Sequence, residues 1–393
     1  MTGNSSRVAQ HVADLPKSGI RKFFDIVASS KDIVSLGVGE PDFDTPWHIS
    51  RAAVTCLEEG GTHYTSNLGT PALRQAISRY MLRKFNAAYD WQKEILVTVG
   101  GSEAIDLAIR SICSPGDEVI YHEPCFVSYA ATIRLAHAIP VAVETKFEER
   151  FKLTVEALEK KVTDKTKAIL LNFPCNPTGA TLERDEVRAI LEFAKRHDLI
   201  VLADEIYIEI AYGDDDGLVS SFASFGEYAD RVVIINGFSK AWAMTGFRLG
   251  FACGAGDIID AMMKIHQYGI MSAPTISQAA GVEALDNGDG DVVRMRKEYR
   301  RRRDYLVKEL NDLGLATHMP KGAFYVFPDI RGTRMSSDDF AMKLLKDYKV
   351  ACVPGTAFGA CGEGFLRMSY ATSYQNIVLA TNRLRKMMSA IKD

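Results

Sequence analysis

Lys240 and Arg248 stand eight residues apart in the run Gly237-Phe238-Ser239-Lys240-Ala241-Trp242-Ala243-Met244-Thr245-Gly246-Phe247-Arg248. An amine at the end of an apolar strand can condense with an aldehyde, and a fixed guanidinium suits an anionic group on the same molecule. A lysine is ordinarily a surface residue, so the pair gains meaning only from its companions. Asp204 follows the apolar run Ile200-Val201-Leu202-Ala203. A partly buried carboxylate there can keep a pyridine nitrogen protonated, because opposite charge favours the cationic form; a helix cap is the ordinary alternative. Tyr207, three residues on, can donate to a phenolic oxygen or simply fill a core. Asn176, in Asn172-Phe173-Pro174-Cys175-Asn176-Pro177-Thr178-Gly179, sits in a strong turn signal, and its amide can reach the same oxygen.

Three further positions fit the same ligand. Val99-Gly100-Gly101-Ser102 runs from a strand into a helix, where Gly101 and Ser102 can offer backbone N–H groups to a phosphate. This is neither a G-x-G-x-x-G fingerprint nor a P-loop, which argues against a nucleotide; an N-cap without ligand is the alternative. Arg248 adds a fork for phosphate oxygens, and Phe126 in Glu123-Pro124-Cys125-Phe126 can stack on a ring or serve as core. Arg367, within Phe365-Leu366-Arg367-Met368-Ser369-Tyr370, is an arginine in an apolar strand; it can clamp a substrate α-carboxylate or form an internal ion pair. An aldehyde, a basic ring nitrogen, a phenolic oxygen and a phosphate occur together in pyridoxal 5′-phosphate, an electron sink for reactions of amino acids.

These residues need a frame. Apolar runs at 94–99, 118–121, 138–144, 168–173, 200–203, 232–235 and 251–252 alternate with helical patterns at 102–112, 127–135, 184–196 and 257–265. Fully apolar strands separated by helices predict a mostly parallel sheet covered on both faces, with ligands bound beyond the carboxyl ends of its strands. A long helix over 291–313 follows, then strands at 324–327 and 365–368 and helices at 337–346 and 374–391. The four arginines 300–303 lie in that long helix and read as a solvated face.

The 393 residues carry a formal charge of 47 − 50 = −3, which gives no reason to expect nucleic acid or an anionic membrane as partner. Seven scattered cysteines without C-x-x-C spacing fit reduced thiols in a cytoplasmic protein, and no metal site is expected. No apolar leader or membrane span is legible.

Taken together, the Asn-Pro-x-Gly, Asp-x-x-Tyr, Ser-Lys and C-terminal Arg motifs resemble the fold-type I, class I/II aminotransferases that depend on pyridoxal phosphate. The match runs in the family's order over nearly the whole chain. It implies an α/β fold: a large cofactor-binding domain over 46–285 with a mostly parallel seven-stranded sheet sandwiched by helices, and a smaller α+β domain over 286–393 joined by the segment 1–45. It implies that Lys240 anchors the cofactor covalently and moves a proton, and that Asp204 pairs with the ring nitrogen. Asn176 and Tyr207 would contact the phenolic oxygen and Phe126 would stack. Gly101, Ser102, Ser239 and Arg248 would hold the phosphate; Gly39, Asn176 and Arg367 would meet the substrate. Tyr64, in Thr62-His63-Tyr64-Thr65, looks like the tyrosine that reaches a neighbouring subunit's phosphate, so a homodimer is implied. Many relatives carry Ser or Thr where this chain has Gly237; one phosphate hydrogen bond is then missing, or Ser239 replaces it.

The implied reaction moves an amino group from an L-amino acid to a 2-oxo acid such as 2-oxoglutarate. The runs Pro16–Phe23 and Leu36–Phe43 resemble the Iγ subgroup, which includes aspartate, aromatic and N-acetyl-diaminopimelate aminotransferases. Certain aspartate-using members have a lysine at the position of Ser102, so an aromatic or mixed aromatic and dicarboxylic donor is expected. Aspartate or N-acetyl-diaminopimelate is the alternative, and a C–S β-lyase on the same scaffold a more distant one.

Overall fold

The structure is a computed structural model that describes residues 7–15, 32–213 and 219–392. The run Pro16–Phe23 used in the subgroup comparison lies outside the described residues. The strands are β1 (Val34–Ser35), β2 (Ile95–Thr98), β3 (Glu118–Glu123), β4 (Ile139–Glu144), β5 (Thr166–Asn172), β6 (Ile200–Asp204), β7 (Val232–Gly237), β8 (Gly250–Cys253), β9 (Tyr325–Val326), β10 (Val350–Ala351), β11 (Val353–Pro354) and β12 (Leu366–Ser369).

Seven of them form one sheet in the order β2-β8-β7-β6-β5-β3-β4. β8 runs antiparallel to both neighbours, and all other pairings are parallel. Side chains alternate between two apolar cores. In β5, Ile169 and Leu171 enter one core while Ala168 and Leu170 enter the other. A strand buried on both faces cannot show a polar/apolar alternation, which is why these segments read as continuous apolar runs. Helices Gly101–Ile112 and Gly256–Gly269 cover one face through Ala104, Ile105, Ala108, Ile259 and Met262. Helices Pro71–Phe85, Arg184–Arg196 and Thr275–Asn287 cover the other through Leu73, Ile77, Ile190, Leu191 and Ala280.

A separate core gathers around the small antiparallel sheet β11-β12-β9 and the parallel pair β1-β10. The helices Asp289–Asp312, Ser337–Tyr348 and Tyr374–Lys392 supply Leu306, Leu310, Phe340, Leu344, Ile377 and Leu384 to it. Among the described residues no helix is long and apolar enough to cross a membrane, and no His/Cys/Asp/Glu group could hold a metal ion.

The arginine run departs from expectation. Arg302 and Arg303 are buried. Arg302 pairs with Asp42 at 2.7 Å and Glu298 at 3.0 Å, and lies over the Phe43 ring. Arg303 donates to the Pro320 carbonyl at 2.9 Å and lies over Tyr212. The helical period explains this: positions 302 and 303 fall between Tyr299 and Leu306 on the buried stripe, so only part of the run is solvated.

Candidate active site

Parallel pairing puts several strand ends at one edge. Asn172 lies opposite Asp204, Asp204 opposite Ile235, and Gly237 opposite Gly250, which also faces Thr98. Beyond that edge lies a cavity of about 750 Å³, within the range of small-molecule sites. Its walls include Gly39, Gly101, Ser102, Phe126, Asn176, Asp204, Tyr207, Ser239, Lys240, Arg248 and Arg367. Every expected site residue except Tyr64 is therefore in one place. Tyr64 does not line this cavity; the residue is 83% exposed.

At the floor, Asp204 is buried. One carboxylate oxygen accepts from the Tyr129 hydroxyl at 2.6 Å, the other from the Ile206 N–H at 3.2 Å. Asn172 fixes the backbone by donating its amide to the Asp204 carbonyl at 3.0 Å. Burial pushes the Asp204 pKa up to about 6, against the pull of the Tyr129 hydrogen bond, the Ile206 N–H and the charge of Lys240. Among the described residues this carboxyl has no direct ion pair, and a cation placed against it in the cavity would stabilise its anion further. Tyr129 was not singled out from sequence. It lies in the first turn of the helix Ser128–Leu135, its ring 5.9 Å from Phe126 edge to face, and nothing in its local sequence marks it as a partner of Asp204.

Lys240 follows the end of β7, and its Nζ donates to the Gly39 carbonyl at 2.8 Å. Burial lowers its pKa to about 8; Glu40 opposes this, while Arg367 and Arg248 add to it. A lysine so depressed holds a substantial fraction of the neutral amine near neutrality, the form that attacks an aldehyde. Glu40, tied to the Thr245 hydroxyl, closes the segment 38–40 over this lysine.

On the phosphate side, Arg248 adopts φ +50° and donates to the Thr245 carbonyl at 3.1 Å. Glycine has a definite task here. A Cβ at Gly100, where φ is +80°, would lie 2.8 Å from an Arg248 guanidinium nitrogen, and one at Gly250 only 2.5 Å from the Gly100 carbonyl carbon. The helix start at Gly101 can thus abut β8 and turn its first N–H groups, which have no intrahelical acceptor, toward the cavity. Gly237 has a similar cause. A side chain there would press on the Leu249 carbonyl at 3.0 Å and on Gly250 Cα at 3.1 Å, while Ser239, two residues on, lines the cavity.

Opposite, Arg367 is 3% exposed. It donates to the Asn176 Oδ1 at 3.0 Å and the Gly37 carbonyl at 2.6 Å, and lies 4.5 Å over the Tyr325 ring. Among the described residues its buried Nε has no partner. The bond to Oδ1 leaves the Asn176 amide nitrogen free to donate inward. No carboxylate neutralises Arg367, so the internal ion pair considered from sequence is absent among the described residues.

This donor set fits pyridoxal 5′-phosphate part by part: a buried acid with no direct ion pair among the described residues for the ring nitrogen, an amine of lowered pKa for the aldehyde, and glycine-lined N–H groups with Arg248 for the phosphate. The family model for "Aminotransferase class I and II" matches residues 31–384. The chain belongs to the class I and II aminotransferases. It is a transaminase, and its cofactor is pyridoxal phosphate, as in the rest of the family. It is 50% identical over 384 residues to the putative aminotransferase YugH of Bacillus subtilis, covering 98% of this chain and 99% of the relative. It is 46% identical to an aspartate aminotransferase of Pyrococcus abyssi, over 94% of this chain and 95% of the relative. The crystal structure of an aromatic aminotransferase from Pyrococcus horikoshii superposes with a TM-score of 0.90 at 43% identity, covering 94% of this chain and 99% of that one.

Proposed function

We propose that this aminotransferase takes aromatic or mixed aromatic and dicarboxylic L-amino acids as donors and a 2-oxo acid such as 2-oxoglutarate as acceptor. The observation that carries the proposal is the distribution of charge in the cavity. Its cations are Lys240, Arg248 and Arg367, each with a part to play toward cofactor or α-carboxylate, and no other described residue lining it is basic. The remaining described lining, including Val38, Ile105, Val127, Asn172 and Thr245, offers no positive charge to a second carboxylate on the substrate, and Glu40 would repel one. Ser102, where some aspartate-using relatives have lysine, supplies no charge. Relatives named for aspartate and for aromatic substrates stand at similar identity, so similarity alone favours neither.

Bound pyridoxal phosphate supplies the aldehyde that takes up the amino group and the ring that draws electrons from the substrate α-carbon. The chain's residues do the rest. Asp204, as an anion, keeps the ring nitrogen protonated. Arg367 binds the α-carboxylate and orients the α-hydrogen toward Lys240. Lys240 would hold the cofactor at rest and, as a neutral amine, would take the proton from the substrate α-carbon and give it back on the cofactor side. Gly39, Val38 and Glu40 screen the site from water on the Lys240 side.

The homodimer belongs to the same proposal. Tyr64 and Tyr268 are 83% and 89% exposed, and Ile270 and Met271 are open to solvent beside them. Hydrogen bonds from Asn67 to the Met271 carbonyl and from Thr275 to the His63 carbonyl hold these segments together. A second copy would cover this apolar surface, as large exposed patches usually require, and Tyr64 would reach its phosphate site. A division into residues 46–285 and 286–393, with 1–45 joining the latter, is supported by the separate apolar cores, and a cytoplasmic location by the free cysteines. Steady-state kinetics with phenylalanine, tyrosine and aspartate test substrate choice: kcat/KM is expected to be highest for an aromatic donor. Aspartate well ahead of both aromatics would overturn it.

A further inference from the structure

Tyr325 joins three of the residues that would hold cofactor and substrate. It lies in β9, is 1% exposed, and lines the cavity wall. Its hydroxyl is 2.9 Å from the Tyr207 hydroxyl, and its ring lies 4.5 Å beneath the Arg367 guanidinium. Gly39 packs on the same hydroxyl so closely that a Cβ there would sit 2.5 Å from it. One side chain thus touches three residues that face ligand, from three distant segments.

The two phenols share one hydrogen bond, and each has a single proton. If Tyr207 donates to Tyr325, Tyr207 turns only lone pairs toward the cavity. If Tyr325 donates, the Tyr207 proton is free for an acceptor in the cavity. The charge of Arg367 over the Tyr325 ring stabilises its phenolate and makes Tyr325 the stronger donor. We propose that Tyr325 is a positioning residue: it donates to Tyr207 and thereby aims the single Tyr207 proton at the phenolic oxygen of the bound cofactor, while its ring supports Arg367. The proposal rests on the assignment of Tyr207 to that oxygen.

The test is a pH titration of the bound cofactor's absorbance band in the holoenzyme, which reports the proton held between the cofactor's phenolic oxygen and the Lys240 nitrogen. A hydrogen bond donated to that oxygen weakens its hold on the proton, so losing the donor raises the midpoint. Tyr207→Phe is expected to raise it by roughly one unit or more, the effect of losing a hydrogen bond to a charged acceptor. Tyr325→Phe, which keeps the ring, is expected to raise it by less. The double variant is expected to match Tyr207→Phe alone, because Tyr325 acts only through Tyr207. If Tyr325→Phe fails to retain cofactor, Gly39→Ala carries the same expectation, since its methyl would displace the same hydroxyl. An unmoved midpoint in Tyr325→Phe, or a shift that adds fully to that of Tyr207→Phe, overturns the proposal while leaving Tyr207 in place. An unmoved midpoint in Tyr207→Phe removes the Tyr207 assignment and the proposal with it.

Discussion

Lys240 and Asp204 share one cavity, and burial moves both toward neutrality. The lysine is brought down to about 8 and the acid up to about 6. A bound cofactor with a basic ring nitrogen would give Asp204 a cation in direct hydrogen-bond contact, and its aldehyde would use the neutral amine of Lys240. Arg367 is the third residue that awaits a ligand, its Nε having no partner among the described residues. Replacing it by alanine removes charge-assisted hydrogen bonds worth about 1.5–3 kcal/mol, roughly ten- to hundredfold. The expected outcome for Arg367→Ala is a rise of that size in KM for the amino donor, measured by steady-state kinetics with cofactor occupancy checked by absorbance. An unchanged KM would remove Arg367 from the carboxylate. The residues whose chemistry is local were legible in sequence: a lysine after an apolar strand, an acid at a strand end, an arginine where none is expected. Tyr129 and Tyr325 were not, because their partners Asp204 and Tyr207 are 75 and 118 residues away.

At the level of elements, the expected strands and helices appear close to their expected positions, because burial on both faces writes continuous apolar runs and helices write periods. The direction of β8 was not legible. Four apolar residues look alike in either direction, and it is the loop from Phe238 to Leu249 that returns the chain antiparallel to β7. Helices Trp47–Glu58 and Thr275–Asn287, which position Tyr64's neighbourhood, were also not anticipated. His48, in the first of these, bonds Glu283 at 2.6 Å and Asp291 at 3.0 Å, tying three helices together. Its pKa is raised, chiefly by the Asp291 hydrogen bond, with burial opposing and Glu283 adding. A raised folded-state pKa means that the protonated ring stabilises the fold below the unfolded value of about 6.5, and that this is lost as pH rises through the folded value. His48→Gln should therefore lower the melting temperature at pH 5.5 and change it little at pH 9. Because the site is partly exposed, the effect should be small and should shrink in salt. An equal loss at both pH values would show that the charge is not what matters.

At the scale of the whole molecule, the proposed dimer decides whether Tyr64 has a task. In a mixed dimer of Lys240→Ala and Tyr64→Ala subunits, one site would carry both native residues and the other neither. Mixing equal amounts of the two proteins under conditions of subunit exchange should restore activity toward about a quarter of the native enzyme's, since half of the dimers are mixed and each of those has one complete site of two. No gain on mixing would place Tyr64 outside the partner's site. Composition and motifs made the class of molecule legible, but not the assembly, since a surface tyrosine looks the same whether or not a second copy covers it. The central claim, amino transfer through Lys240, is tested most directly by absorbance of the cofactor-loaded protein mixed with an aromatic amino acid and no acceptor. The native protein is expected to lose its band stoichiometrically, release the matching 2-oxo acid and regain the band with 2-oxoglutarate, while Lys240→Ala does so at least a hundredfold more slowly, about the lower end for loss of a general acid–base. Undiminished conversion by Lys240→Ala would contradict the account.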